Sequence, residues 1–343
     1  MKVSRVLLVA GSLLAAGLGA SAPAAAQGNL VVYCSPQEEW CQLMVNEFQK
    51  ATGINVSMTR KSSGETFAQI QAEAANPQGD IWWGGTGDPH LQAAEEDLTV
   101  AYESPMMAEL HDWAIEQHKT ADGKTVGIYL GALGFGYNSD LLKEKGLAAP
   151  ECWADLAKPE FAGEVQVANP NSSGTAYTFL ATLVQIWGED KAFEYLKSLD
   201  ANVNQYTKSG AAPSQAAARG ETLVGITFQH DLLTPVVTSN APLVTVSPCE
   251  GTGFEVGSMS IIKGGPNPEN AKKWYDWALT ADAQKLGAQA NAFQLPSNKN
   301  APLPEGAPDI ANIKLIDYDF AKFGSSDERK RLLAKWDAEI GAN

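Results

Sequence analysis

The chain has 343 residues, with 40 acidic and 25 basic side chains and a formal net charge of −15. This length exceeds what one hydrophobic core usually supports, so we expect about two domains. The acidic balance makes nucleic acid and anionic membrane surfaces poor partners. It does not exclude a small anionic ligand, because backbone N–H groups at helix N-termini bind anions locally.

The first 26 residues have the pattern of a secretory signal peptide. Lys2 and Arg5 precede an apolar stretch over 6–18, and small residues then lead to an A-A-A sequence that ends at Ala26. A basic start, a short apolar region and an A-x-A motif define such signals. The stretch is shorter than the roughly 20 residues of a membrane span. We therefore expect an exported mature chain that starts near Gln27.

Four cysteines in an exported chain are candidates for disulfide bonds. Cys34, Cys41, Cys152 and Cys249 can pair in three ways, and the spacing alone does not choose among them. We favour Cys34 with Cys41, because a strand end and the first turns of the next helix lie close together. Cys152 and Cys249 are then the remaining pair. No C-x-x-C spacing or histidine pair accompanies them, so we predict no metal site.

Strand, helix and strand alternate at the start of the mature chain. Apolar residues at helical spacing predict a helix over 38–52, and Gly53 is typical of the position that ends a helix. Short apolar runs predict strands on either side of it and further on. The alternation indicates a parallel sheet in an α/β domain. The predicted strands cover 29–33, 54–58 and 80–83.

Two longer apolar runs are candidates for crossovers between the domains. From Gly127 to Tyr137 the chain reads GIYLGALGFGY, and such a glycine-spaced strand bends easily. A run over 254–262 can carry the chain back. Between them we predict a strand at 164–168, a helix at 175–187 and a buried strand at 223–227. We place lobe 1 at 27–131 plus 259–343 and lobe 2 at 132–258, with a ligand cleft between two α/β lobes joined by two crossover strands.

The strand at 223–227 ends at His230 and Asp231. Open α/β proteins place ligand-binding groups at the carboxyl ends of their strands, which makes both residues candidates for ligand contact. The alternative interpretation is that both side chains cap the helix or turn that follows. Position alone does not separate these two interpretations.

Several motifs along the chain resemble those of a known family. They are LVVY at 30–33, SSGE at 62–65, DIWWGG at 80–85, GFGYN at 134–138, PNSSGT at 170–175 and EGTG at 250–253. Together with the signal peptide, they resemble the extracellular solute-binding proteins of ABC importers. The group in question holds ferric-ion, aminoalkylphosphonate and hexose-phosphate binders, and the likeness covers essentially all of the mature chain.

The resemblance implies a fold, a compartment and partners. The fold is a two-lobed periplasmic binding protein of type II, whose lobes close on the ligand about a hinge. The protein would be a periplasmic monomer that delivers its ligand to an ABC permease in the inner membrane. It would need no cofactor and would not be an enzyme.

Residues 228–231 narrow the choice among these three ligand classes. Ferric-ion members of the group bind metal through adjacent tyrosines in this neighbourhood, whereas this chain has Phe228, Gln229, His230 and Asp231. A trivalent ion prefers anionic oxygen ligands. Hexose-phosphate binders are the better resemblance, with His230 and Asp231 bonding sugar hydroxyls. Glu250 or Glu255 would be a further acceptor. The sequence does not decide between them, although the position of Glu250 at an apparent strand end slightly favours it over Glu255.

Hydroxyl-rich loops before predicted helices are candidates for the phosphate end of the site. Side-chain O–H groups and first-turn N–H groups can point at one anion there. The alternative is that these residues are plain helix caps. Arg60 and Lys61 we expect in solvent, and Ser209 with Gly210 forms a fourth possible anion loop. The candidate residues are Ser62, Ser63, Gly64, Thr86, Ser172, Ser173, Gly174 and Thr175.

Two alternatives remain beside a phosphorylated sugar. In an aminoalkylphosphonate binder, Asp231 or Glu250 would pair with the ammonium group. In a secreted hydrolase, His230, Asp231 and a serine would form a triad. No G-x-S-x-G motif is present, and adjacent side chains of an extended segment point to opposite sides, so the sequence argues against the hydrolase.

Overall fold

The structure is a computed structural model that describes residues 28–341. The predicted signal peptide lies outside the described residues. The strands are β1 (Asn29–Cys34), β2 (Asn55–Arg60), β3 (Ile81–Trp83), β4 (Thr99–Val100), β5 (Val126–Asn138), β6 (Val165–Ala168), β7 (Val203–Thr207), β8 (Val224–Phe228), β9 (Leu243–Val246), β10 (Phe254–Ile262) and β11 (Leu295–Pro296). Within these residues no helix is both long and apolar enough to cross a membrane.

Fourteen α-helices accompany the strands in the described part of the chain. They are α1 (Glu38–Thr52), α2 (Ser63–Ala72), α3 (Gly87–Glu95), α4 (Asp112–Thr120), α5 (Ser139–Lys145), α6 (Gly174–Trp187), α7 (Glu189–Asp200), α8 (Ala212–Ala218), α9 (Gln229–Ser239), α10 (Pro268–Ala278), α11 (Ala281–Gln284), α12 (Leu286–Gln289), α13 (Phe320–Phe323) and α14 (Ser326–Glu339). Short 3-10 turns lie at Met107–Glu109, Trp153–Ala157, Pro159–Phe161 and Ile310–Asn312.

The strands form one continuous mixed sheet with a parallel group at each end. Its order is β2-β1-β3-β10-β5-β8-β6-β7. β1 is parallel to β2 and β3, and β6 is parallel to β7 and β8. The antiparallel pair of β5 and β10 joins the two groups. The predicted α/β fold with two crossover strands is confirmed.

Strand β5 belongs to both halves of the sheet. Its first part, up to Ala132, pairs with β10, and its second part, from Leu133, pairs with β8 and β9. The glycines expected to bend this strand have a second role. A Cβ on Gly131 would lie 2.4 Å from His230 Nδ1, and one on Gly136 would lie 2.6 Å from Leu232. Helix α9 can therefore pack directly on the strand.

Each half of the sheet has its own core. The first contains Phe48 and Trp274, and the second contains Phe135 and Trp153, all fully buried. Burying such a side chain contributes about 1.5–3 kcal/mol. Most residues of each core belong to one predicted lobe, but the second core also contains residues after 316 that the prediction places in lobe 1. The boundaries at 131/132 and 258/259 stay a prediction.

The chain passes between the cores a third time near its C-terminus. Leu295 pairs with Leu130 beside the first core, whereas Tyr318 and Trp336 pack in the second core. Ile316 N–H donates to the Thr252 carbonyl at the point of passage. This packing favours grouping α14 with lobe 2, although the predicted boundaries group it with lobe 1.

Both predicted disulfides are present. Cys34 joins Cys41 with Cα atoms 6.1 Å apart, and Cys152 joins Cys249 with Cα atoms 4.8 Å apart. The first bridge ties the end of β1 to the first turn of α1. The second closes a loop with a sequence separation of 97 residues. A loop of that length corresponds to about 4–5 kcal/mol of stabilisation in the chain-entropy model.

Candidate functional site

A polar cavity lies between the two lobes. Residues at the ends of β1, β2 and β3 line it from one side, and residues that follow β6 and β8 line it from the other. The cavity thus lies at the carboxyl ends of the parallel strands, where open α/β sheets hold their ligands.

Nine of the twelve predicted ligand-binding residues line this cavity. At the expected phosphate end they are Ser62, Ser63, Thr86, Ser173, Gly174 and Thr175, and at the other end they are His230, Asp231 and Glu255. Gly210, from the fourth possible anion loop, also lines it. Gly64, Ser172 and Glu250 do not.

Three helices begin at the phosphate end of the cavity. α2 follows Ser62, α3 follows Thr86, and α6 follows Ser173. Their first-turn N–H groups and positive dipole ends favour an anion. The Thr86 N–H donates to Ser63 Oγ at 3.1 Å, whereas Ser173 Oγ accepts from the Ala176 N–H. Ser173 therefore caps its helix, as the alternative interpretation expects, whereas the Thr86 side chain makes no cap hydrogen bond.

Backbone approach at this end depends on two glycines. A Cβ on Gly174 would lie 1.8 Å from Thr86 Oγ1, and one on Gly85 would lie 2.3 Å from Ser63 Oγ. Gly85 also has a φ of 88°, which favours glycine. Loops from the two lobes thus come within contact distance across the phosphate end.

The other end of the cavity holds three buried ionisable side chains. His230 and Asp231 lie in the first turn of α9, directly after β8, and Glu255 lies on β10. His230 Nε2 is 3.7 Å from Glu255 Oε1 and 3.9 Å from Asp231 Oδ2. Asp231 accepts from Thr227 Oγ1 at 3.0 Å. It also accepts from Gln37 Nε2 at 2.5 Å, a hydrogen bond across the cleft.

Burial sets the charge of this end. It raises the pKa of Glu255 well above its usual value, and the nearby Asp231 and Asp88 raise that pKa further. Burial also lowers the pKa of His230, against an opposing effect of Asp231. A neutral imidazole and a protonated carboxyl each offer one donor and one acceptor. Such groups suit hydroxyls better than they suit a second anion.

The sequence-based site omitted several lining residues. Arg60 was expected in solvent, but it is half-buried and is the one arginine or lysine that lines the cavity among the described residues. Its Nε donates to the Pro36 carbonyl at 2.9 Å. It ends β2, so the rule for strand ends that identified His230 could have identified it too. The other omitted residues are Ser35, Pro36, Gln37, Gly85, Tyr129, Ala211, Phe228 and Gln294.

Four of the lining side chains carry a buried polar atom without a partner in the described part of the chain. They are Gln37 Oε1, Thr86 Oγ1, His230 Nδ1 and Gln294 Oε1. Buried polar groups in native proteins are almost always hydrogen-bonded. The cavity is therefore built for a polar ligand with several donors and acceptors.

The three predicted residues outside the cavity have other contacts. Glu250 accepts from the Trp153 and Ala154 N–H groups at 2.8 and 2.9 Å, and so caps a 3-10 turn. Ser172 Oγ donates to the Lys208 carbonyl. A Cβ on Gly64 would lie 2.6 Å from the Asn171 carbonyl oxygen. Of the two glutamates left open by the sequence, only Glu255 reaches the cavity.

One cluster of potential metal-ligating side chains lies outside the cavity. Within residues 28–341, one group of three potential ligands lies close together, and it consists of Cys152, Cys249 and Glu250. Both sulfurs are in a disulfide bond and Glu250 caps a turn, so this group is not free to bind a metal.

Comparison with known proteins agrees with this architecture. Residues 86–323 match a family model described as bacterial extracellular solute-binding protein. The chain belongs to this family. A solute-binding protein of this kind needs a cleft between two lobes, as found here. An uncharacterised protein of Haemophilus influenzae is 46% identical over 99% of both chains.

Two further relatives carry information on ligands. The periplasmic binding protein AfuA from Actinobacillus pleuropneumoniae, solved with exogenous fructose-6-phosphate bound, is 45% identical. The match covers 92% of this chain and 100% of AfuA, with a TM-score of 0.88. A putative 2-aminoethylphosphonate-binding periplasmic protein of Salmonella typhimurium is 27% identical over 83% of this chain and 82% of that protein.

Proposed function

We propose that this solute-binding protein captures a phosphorylated sugar of hexose-phosphate type in the periplasm for an ABC importer. The observation that carries the proposal is the division of one cavity into two ends. Three helix N-termini and several hydroxyls lie at one end, and three buried ionisable side chains lie at the other. A phosphorylated polyol is divided in the same way, with an anionic phosphate at one end and hydroxyl groups at the other.

The anion end fits a phosphate group. A phosphate monoester carries about 1.5–2 negative charges near pH 7 and three strong acceptor oxygens. Arg60 supplies one positive charge, and the starts of α2, α3 and α6 supply N–H donors. Hydrogen bonds to a charged group contribute about 1.5–3 kcal/mol each. The acidic net charge of the chain is no obstacle to such a local site.

The other end fits sugar hydroxyls. His230 and Glu255 are both buried, and burial shifts their pKa values toward the neutral forms. Each can then donate and accept, as a hydroxyl does. The unpartnered His230 Nδ1 and Gln294 Oε1 offer further positions for ligand contact. AfuA, the relative with bound fructose-6-phosphate, supports the same ligand class.

Family membership supports the transport role. Such a protein delivers its ligand to a membrane permease without changing it chemically, so we propose no catalytic activity. His230 and Asp231 are not arranged as a catalytic relay, because His230 Nε2 is 3.9 Å from Asp231 Oδ2 and the Asp231 carboxylate bonds Gln37 and Thr227 instead. Turnover of a sugar phosphate by the pure protein would contradict the proposal.

An aminoalkylphosphonate is the second candidate, on the strength of the Salmonella relative. Its ammonium group would have to pair with Asp231, since Glu250 lies outside the cavity and burial favours neutral Glu255. Ferric ion is the third. Among the described lining residues Tyr129 is the one tyrosine, and its hydroxyl already accepts the Gly85 N–H at 2.7 Å.

Calorimetry separates the three candidates. The mature protein is titrated with glucose 6-phosphate, 2-aminoethylphosphonate and ferric citrate, with unphosphorylated glucose as a matched control. We expect saturable heat with the sugar phosphate and a large loss of affinity with glucose. Absence of heat with any phosphorylated sugar would refute the proposed ligand. Native mass spectrometry of the purified protein tests the same point through any ligand that copurifies.

A further inference from the structure

A second group of buried polar side chains lies between the lobes, outside the ligand cavity. We call it the interlobe seam, and it consists of Asp88, Gln92, Thr182, Tyr318 and Arg329. All five residues are at most 5% exposed. Five of their atoms have no hydrogen-bond partner within residues 28–341. These are Asp88 Oδ1, Gln92 Nε2, Gln92 Oε1, Thr182 Oγ1 and Arg329 Nη1.

The seam joins elements of both lobes. Asp88 and Gln92 lie one turn apart on α3, and Thr182 lies on α6, which contacts α3. The Tyr318 hydroxyl donates to Asp88 Oδ2 at 3.4 Å. Arg329, on α14, donates from Nη2 to the Pro170 carbonyl at 3.3 Å. The seam therefore contains groups that depend on how the lobes are placed relative to each other.

The seam lies directly behind the ligand loops. Asp88 is two residues after Thr86 of the cavity, and Thr182 is on the same helix as Gly174. A Cβ on Gly253, just before β10, would lie 2.1 Å from Thr182 Oγ1. The seam thus also contacts the crossover where the lobes hinge.

Unpartnered buried polar atoms are costly, and water removes that cost. Each buried polar group without a partner destabilises the closed state, because it has lost its hydrogen bonds to water and gained none within the protein. Lobes that separate about the crossovers would admit water to the seam. We propose that the interlobe seam determines ligand affinity from outside the cavity, because its polar atoms oppose closure of the lobes. The inference depends on closure around a ligand and not on which ligand is bound.

The ionisation of Asp88 supports this view. Burial raises its pKa to about 6, while Arg329, Tyr318 and Thr178 lower that pKa less strongly. The other titratable groups near Asp88 are Tyr177 on α6 and Glu255 on β10. A carboxyl hydrated in separated lobes would return toward its usual pKa. Closure of the lobes is then coupled to the uptake of a proton by Asp88. The closed state therefore becomes less favourable as pH rises from the usual carboxyl range to about 6.

Apolar replacements of similar shape test the proposal. In Thr182→Val and Gln92→Met, the closed seam loses unpartnered atoms and the separated lobes expose an apolar group. We expect each variant to bind glucose 6-phosphate at least about fivefold more tightly than wild type. This gain corresponds to removing one unpartnered polar group from the closed seam. Thr99→Val is the matched control, because Thr99 Oγ1 is also buried and unpartnered but lies on β4 of lobe 1 and is not one of the five seam residues.

The control separates affinity from stability. Thr99→Val and Thr182→Val should have similar effects on thermal unfolding, and only Thr182→Val should tighten binding. A folded Thr182→Val or Gln92→Met protein with unchanged or weaker affinity overturns the proposal. So does an equal gain of affinity in Thr99→Val. Two seam variants keep the test open if one of them fails to fold.

Small-angle X-ray scattering of the ligand-free protein tests the seam independently of the ligand. The seam variants should have a smaller radius of gyration than wild type. Wild type should become more compact between about pH 7 and pH 4.5, whereas Asp88→Asn should be compact at both values. If no phosphorylated sugar binds wild type, the proposed ligand is refuted, whereas the scattering test of the seam still stands. An Asp88→Asn protein that becomes as much more compact between these pH values as wild type does would overturn the role of the seam.

Discussion

Asp231 is the residue through which the proposed site can be tested most directly. Its carboxylate has two hydrogen-bond donors of different kinds. Thr227 Oγ1 lies on the preceding strand at 3.0 Å, and Gln37 Nε2 reaches across the cleft from lobe 1 at 2.5 Å. Asp231→Ala leaves both donors without a partner. The Thr227 contact is local, whereas the Gln37 contact requires the lobes to be closed.

The two contacts predict two separate effects. A stranded buried donor costs about 1–3 kcal/mol. Loss of the local Thr227 contact should lower the free energy of unfolding by that amount. Loss of the Gln37 contact and of any ligand hydroxyl should weaken sugar-phosphate binding by a further 1–3 kcal/mol, or about 5- to 150-fold. Calorimetry and urea unfolding measure the two quantities in the same preparation.

Gln37→Ala is the matched control for the contact across the cleft. It should weaken binding and leave stability nearly unchanged, since Gln37 bonds Asp231 only when the lobes meet. In the double variant the two losses of affinity should not add, because both changes remove the same hydrogen bond. An Asp231→Ala protein with unchanged affinity would refute the reasoning and return Asp231 to a structural role beside Thr227.

Three further predictions concern the rest of the cavity. Arg60→Gln should weaken phosphate binding by about 1.5–3 kcal/mol and reduce its dependence on salt, measured by calorimetry at two ionic strengths; equal salt dependence in both proteins would contradict a role in binding the anion. Gly131→Ala should displace His230, whose Nδ1 would lie 2.4 Å from the new Cβ, and cost about 1–3 kcal/mol of stability in urea unfolding, together with affinity. Because burial raises the pKa of Glu255, wild-type stability should fall as pH rises from the usual carboxyl range toward that raised pKa. In Glu255→Gln, the free energy of unfolding should change less with pH. An identical pH dependence in both proteins would rule out Glu255 as the source.

Local sequence patterns predicted much of the fold. The helix expected over 38–52 is found at Glu38–Thr52, and Gly53 ends it with a φ of 70°, which glycine adopts without strain. The buried strand expected at 223–227 is found one residue later. Hydrophobic periodicity and helix-end signals depend on residues that are close together in the chain, so they can be recognised in a single sequence. The Cys34–Cys41 disulfide followed from the same local view of a strand end and the next helix, whereas Cys152–Cys249 was predicted only as the remaining pair.

Contacts between distant residues could not be predicted in this way. Gln37 bonds Asp231 across a sequence separation of 194 residues, and no local pattern marks either end of that contact. The sequence slightly favoured Glu250 over Glu255 as a ligand contact, but the path of β10 buries Glu255 at the cavity and leaves Glu250 to cap a turn. The third passage of the chain was missed for a similar reason, because it has no regular strand that periodicity would reveal.

The two ends of the cavity differ in what a substitution can change. At the phosphate end, Gly85 and Gly174 allow close approach of the backbone, and any Cβ there would collide with Ser63 or Thr86. This end therefore depends on the scaffold itself. At the other end, His230, Asp231 and Glu255 project from intact secondary structure, and other side chains could replace them without moving the strands. Under the proposed function, a change of ligand on this scaffold would begin at these three positions.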